Sequence, residues 1–146
     1  MSEPSTSSES IQPSAWLGIG VGWLAQLGLR TLLPVVVLVS VRFLSLEIDD
    51  KALWLENPSN SQHPVWYALQ ASVFVGSLIA GGLAARLSPP RSPAVPIALV
   101  LLSLFSTWFE QFPAPLSVGI TLIWIGSPCG GLILGYCLVR RLVRRT

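Results

Sequence analysis

The stretch "AWLGIGVGWLAQLGLRTLLPVVVLVSVRFLSLEI", residues 15–48, constrains this chain most: its only charges before Glu47 are Arg30 and Arg42. As one helix it would be ~50 Å long against a hydrocarbon core of ~30 Å, so it must tilt, break or lie partly outside the core. Arg30 and Arg42 would sit ~18 Å apart along that helix, and each can extend its guanidinium toward an opposite headgroup layer. Their spacing predicts a spanning part near residues 24–46. The preceding "AWLGIGVGWLAQ" then runs along the cytoplasmic interface or extends a steeply tilted helix. Trp16 and Trp23 suit an interfacial position, and Pro34 offers a kink.

Three more apolar stretches follow. "VWYALQASVFVGSLIAGGLAARL", residues 65–87, opens with Trp66 and Tyr67 at the interface and closes at Arg86. The turn "SPPRSP" breaks it from "AVPIALVLLSLFSTWFEQF", residues 94–112, and "PAP" leads into "LSVGITLIWIGSPCGGLILGYCLV", residues 116–139. The only sizeable polar loop is "EIDDKALWLENPSNSQHP", residues 47–64, in which "DDKALWLE" has the pattern of a short surface helix. The chain is 51% hydrophobic and 11% charged, with a mean hydropathy of +0.64, whereas soluble domains carry about 25% charged residues. We therefore expect an all-α fold: one polytopic membrane domain, residues 15–139, with four transmembrane helices in a compact bundle.

The flanks differ from the bundle and from each other. Residues 1–14, "MSEPSTSSESIQPS", are acidic and serine-rich, without the basic start and apolar core of a secretory signal or the second-position glycine of a myristoylation site. They read as a disordered tail. Residues 140–146 form a basic tail holding Arg140, Arg141, Arg144 and Arg145. The loop between spans two and three carries Arg86 and Arg91, while the first loop sets four acids against Lys51. The positive-inside rule then places both termini in the cytoplasm, with these six arginines as topology and lipid anchors. The preference for arginine over lysine, eight to one, points to a GC-rich genome and so to a bacterial inner membrane.

The second and fourth spans are rich in small residues at helical spacing. Ser72, Gly76, Ala80 and Ala84 form one row, with Ser77, Gly81 and Ala85 in the row beside it. Gly126 and Gly130 form a row in the fourth span, beside Ser127, Gly131 and Gly135. In lipid, helix association depends on close van der Waals fit, which such rows permit. The expectation is that span two packs on span four; the alternative is a homodimer through one of the grooves. "GSLIAGG" at 76–82 and "GSPCGGL" at 126–132 also echo one another, as a duplicated two-helix hairpin or a chance match would. With no preceding strand and no following lysine, the glycines do not read as a phosphate-binding loop.

The phrase "GGLAARLSPPRSP", residues 81–93, resembles a pattern in small four-helix bacterial membrane proteins of unknown function. In these, a glycine-rich second helix ends in a GG-x-x-AAR-like phrase before a proline-bearing turn. The later "GSPCGG" is similar to the glycine-rich last helix of that group, and the resemblance covers residues 65–138. This chain has "AVPIA" in place of a histidine at the start of the third helix. The resemblance implies a four-helix membrane fold and carries no activity.

Ionisable groups inside the membrane are the usual pointers to function. Here they are Arg30, Arg42 and Glu110, with Gln26 and Gln70 adding hydrogen-bonding capacity. Arg42 and Glu110 are expected near the outer face, either as an ion pair or each reaching its own headgroups. Arg30 has no acid at its expected depth, leaving headgroups, an anionic lipid or a partner subunit. His63 alone cannot supply both axial ligands of a haem between helices. Cys129 and Cys137, ~12 Å apart on a helix, are too distant for a disulfide. No metal-ligand cluster and no nucleophile with a base stands out, so no metal, cofactor, nucleic-acid partner or enzymatic activity is expected. What remains is a non-catalytic accessory or structural subunit that binds another membrane protein or lipid through its small-residue faces. The alternative is a small oligomeric transporter or channel, which would need its polar side chains to face one cavity.

Overall fold

The computed structural model describes residues 14–43, 64–90, 92–108 and 118–145. They form four α-helices: α1 (Ala15–Phe43), α2 (Pro64–Leu87), α3 (Ala94–Trp108) and α4 (Val118–Val143). Helices α1, α2 and α4, with 29, 24 and 26 residues, are long and apolar enough to cross a membrane. α3 is apolar but has only 15 residues, or ~22 Å, short of the ~20 residues a crossing usually takes. Residues 109–117 lie outside the described residues, as do the polar first loop with His63, and Arg91 and Glu110.

Local chemistry sets the helix ends. The Ser14 hydroxyl accepts a hydrogen bond from the Leu17 amide at 3.0 Å, capping α1. α2 begins on Pro64, whose missing N–H costs nothing in a first turn. Ser88 precedes Pro89 and is pushed out of helical geometry, so α2 stops at Leu87. Both Pro34 of α1 and Pro128 of α4 are buried inside continuous helices, and each removes one amide from the backbone ladder.

α1 departs from the interfacial option open to residues 15–26. It is one uninterrupted helix from Ala15, and its first turns belong to the bundle. Gly18 lies against Ser88 and the Ala84 carbonyl, and Gly22 lies against Ala84 and Leu99. A β-carbon at Gly18 or Gly22 would come within 2.8 Å or 2.7 Å of its neighbour. The basic tail is likewise part of a helix, since Arg140 and Arg141 occupy the last turn of α4.

α2 is the centre of the packing. It lies along α1 on one side and α4 on the other, while α3 rests on α1 and α4 and barely meets α2. Around the bundle the order is therefore α1, α2, α4, α3. α1 runs antiparallel to α2, because Gly18 sits by Ser88 while Gly76 sits by Leu29 and Leu33. α2 and α4 run parallel, Gly131 meeting the Phe74 carbonyl and Gly82 meeting Val139 further along both helices.

The two small-residue rows of α2 serve different neighbours. Gly76 and Ala84 face α1, and Ser77 and Gly81 face α4. On α4 the row containing Gly131 and Gly135 does the facing, whereas Gly126 has open space beside it and Gly130 meets only the Phe74 ring at 3.8 Å. A compact core of Ala80, Ala84, Ala85, Val95, Leu99, Leu132 and Tyr136 fills the end of the bundle where the first turn of α1, the α2–α3 turn and the last turn of α4 meet.

Candidate functional site

Polar side chains gather at two levels. The first is midway along α1. Gln26, 2% exposed, donates from Nε2 to the hydroxyl of Ser103, 0% exposed, at 2.9 Å. One turn further, Arg30 donates from a terminal guanidinium nitrogen to the Thr107 hydroxyl at 3.3 Å. α1 and α3 run parallel here, so the pairs at i and i+4 on each helix stack into one polar stripe between them. Cys129 of α4 lies beside Ser103.

Arg30 lies near the midpoint of the 29-residue α1, whose first turns dock on α2 through Gly18 and Gly22. The Arg30 guanidinium turns to Thr107, in the last turn of α3. Thr107 in turn donates to the Ser103 carbonyl at 2.9 Å, which presents its oxygen to the arginine. Gln70 is buried on α2, and its carbonyl accepts from the Ser127 hydroxyl at 3.1 Å, tying α2 to α4. Ser72 donates to Leu69 of its own helix at 2.7 Å. Arg42 is exposed in the last turn of α1, and its expected partner Glu110 is outside the described residues.

The second level is the basic end of the bundle. Nη2 of Arg140 converges on the carbonyl of Ser88 (2.8 Å), the hydroxyl of Ser88 (2.9 Å) and the carbonyl of Pro89 (2.5 Å). Ser88 in turn donates its hydroxyl to the Ala84 carbonyl at 2.6 Å. Tyr136 donates to the Ser92 carbonyl at 3.2 Å and accepts from Arg140 at 3.3 Å. The Arg140 guanidinium carbon lies 5.2 Å from the centroid of the Tyr136 ring, a cation–π distance. One arginine and one tyrosine of α4 thus bind both sides of the α2–α3 turn. The Arg140 Nε is buried with no hydrogen-bond partner among the described residues.

Beside this clamp is an open cleft of about 440 Å³ between the α2–α3 turn and the last turns of α4, reached by Arg141 and Arg144 as well as Arg140. Below it, an apolar groove of about 370 Å³ separates α3 from α4. Neither contains Gln26, Arg30 or Gln70. Among the described residues no three His, Cys, Asp or Glu side chains come together as a metal site would need. Both cysteines are free thiols, Cys129 half-buried and Cys137 exposed.

No family model, curated protein or solved structure matches this chain. The chemistry of the site therefore rests on its own geometry. Several residues in that geometry were not singled out from the sequence: Gly18, Gly22, Ser88, Ser103, Thr107 and Tyr136. The spacing of Gly18 and Gly22 by four was a usable sign of a packing face. Ser103 and Thr107, also four apart, were a usable sign of a polar one.

Proposed function

We propose that this protein is resident in a bacterial inner membrane, with four membrane-embedded helices and both termini on the cytoplasmic side. We propose further that it is a non-catalytic accessory or structural subunit that binds another membrane protein or lipid. The membrane reading is supported by three helices of spanning length and by apolar outer faces that expose Leu32, Val36, Val39 and Phe105. The orientation is supported by the clustering of Arg86, Arg140, Arg141, Arg144 and Arg145 at the end where α2 and α4 finish.

The observation that carries the subunit reading is the use of polar groups. Gln26 donates to Ser103 and Arg30 to Thr107, in contacts between helices, and neither lines the cleft or the groove. Glycines that remain open for a partner are Gly20 and Gly28 on α1 and Gly119 and Gly126 on α4, where an added β-carbon meets nothing among the described residues. Gentle-detergent purification from the native membrane, followed by mass spectrometry, tests the reading. A stoichiometric partner that is lost on Gly28→Leu or Gly126→Leu is expected; purification of the chain alone would remove the subunit reading.

One observation favours the transporter alternative. An arginine halfway along an apolar helix is costly, and such residues often mark a pathway. A homo-oligomer whose ion or solute flux collapses on Arg30→Gln would establish it.

A further inference from the structure

We propose that the seam between α3 and α4 at the basic end is a binding site for one anionic phospholipid, its phosphate in the arginine-lined cleft and an acyl chain in the groove below. The proposal rests on the membrane reading above and adds a defined site to it.

The cleft and the groove lie between the same two stretches of chain: α3 with the turn before it, and α4. Pro93 lines the cleft, and Ile97, one turn along α3, lines the groove. On α4, Cys137 lines the cleft, and Ile133, one turn away, lines the groove. Residues four apart share a helix face, so the cleft and the groove follow one another along the α3–α4 seam, from the helix end into the apolar part of the bundle.

The chemistry changes along this seam as it does along a lipid. At the top, Arg140, Arg141 and Arg144 all border the cleft, with no acidic side chain in its described lining. Guanidinium groups suit phosphate because their planar fork of donors matches its oxygens. The clamp fixes Arg140 on the turn through Nη2, while Arg141 and Arg144 are exposed and free to close on a ligand. Lower down, the groove is bounded by Pro96, Ile97, Val100, Leu101 and Ile133, with no polar side chain. Ile97 is 59% exposed and Leu101 61% exposed, so an aliphatic chain would cover them.

A general attraction of a basic tail to an anionic surface makes a different forecast. It would weight Arg145 like its neighbours, whereas Arg145 does not border the cleft. Each basic residue near an anionic surface contributes about fivefold in binding.

The test is native mass spectrometry of the full chain released from nanodiscs of mixed phosphatidylglycerol and phosphatidylcholine. Wild type should retain phosphatidylglycerol preferentially. R141Q/R144Q should lose that preference by an order of magnitude or more, while R145Q should change it less than about twofold. Ile97→Trp fills the groove and should lower retention as well, whereas Leu32→Trp, on the outer face of α1, should not. Equal losses for R145Q and R144Q would overturn the site, as would equal behaviour of the two tryptophan variants. Binding of glycerol 3-phosphate as tight as that of phosphatidylglycerol would also overturn it, by making the acyl groove irrelevant. Alkaline extraction of the same membranes reads membrane residence separately. A chain that stays in the pellet yet shows no lipid preference would refute the site and leave the membrane reading intact.

Discussion

Gly81 and Gly135 are reciprocal: Gly81 of α2 presents its bare Cα to the Leu132 carbonyl of α4, and Gly135 of α4 presents its own to the Leu78 carbonyl of α2. A local two-fold relation therefore pairs Gly81 with Gly135 and Leu78 with Leu132. Backbones this close gain dispersion contacts along both helices and bring Cα–H groups against carbonyl oxygens. Side chains of any size at either position would force the two helices apart.

Gly81→Ala and Gly135→Ala should each destabilise the bundle by about 1–3 kcal/mol, since the obstacle is backbone that cannot rotate away. Gly126→Ala and Gly119→Ala meet open space and should be neutral or stabilising by up to about 1 kcal/mol through helix propensity. Gly81→Leu should be far worse than Leu83→Ile on the exposed face. Unfolding in mixed micelles measures all of these, and equal behaviour of Gly81→Ala and Gly126→Ala would contradict the packing.

The Gln26–Ser103 bond should appear as a coupling in a double-mutant cycle. Gln26→Leu and Ser103→Ala should each destabilise alone, and the double variant should recover about 0.6–1.7 kcal/mol of their sum. Strict additivity would mean that the bond contributes nothing beyond what the separated helices regain.

Removal of the Arg140 clamp should loosen the α2–α3 turn selectively. Arg140→Ala should cost about 2 kcal/mol, because hydrogen bonds to a charged donor exceed neutral ones. Arg140→Lys should restore part of the loss, as the contacts to Ser88 and Pro89 all run through the single nitrogen Nη2, which a three-donor ammonium can replace. Tyr136→Phe should cost about 1 kcal/mol through the lost Ser92 bond. Faster hydrogen exchange at the amides of Ser88 and Ser92, with the middle of α2 unchanged, would report the loosening; unchanged exchange there in Arg140→Ala would refute it.

Orientation can be read by thiol labelling. In a cysteine-free background, Ser14→Cys and Arg145→Cys should both react with an impermeant maleimide in inverted vesicles and in neither case from the outside of intact cells. Labelling of the two from opposite sides would exclude an even number of crossings.

Class and helix count were legible in the sequence because apolar runs and proline turns are local signals. The rows of small residues in α2 and α4 were visible for the same reason; among them Gly76, Gly81, Gly131 and Gly135 lie in helix contacts, whereas Gly126 lies open. The allocation of the rows was not visible. One row of α2 goes to α1 and the other to α4, and spacing by four cannot state which neighbour takes which row. The role of "GIGVG" was hidden by Arg30: placing that arginine at a headgroup layer pushed Gly18 and Gly22 out of the bundle. In the structure both glycines dock on α2, and the Arg30 guanidinium donates to Thr107. The echo between residues 76–82 and 126–132 also misled as to register. It matches Gly76 to Gly126, whereas the spatial two-fold matches Gly81 to Gly135, one helical turn further on.

The position of α2 between α1 and α4 has a consequence for how the chain is made. Its first partner precedes it, so Gly76 and Ala84 can close on α1 as soon as both have left the ribosome. Its second partner does not yet exist. The stretch from Leu87 to Gly131 takes about 2–9 s to synthesise, and for that interval Ser77 and Gly81 offer naked backbone to any passing segment. The abrupt "SPPRSP" connection and the brevity of α3 shorten the wait. Translation speed between the second and fourth helices, and not equilibrium packing alone, thereby becomes a determinant of yield.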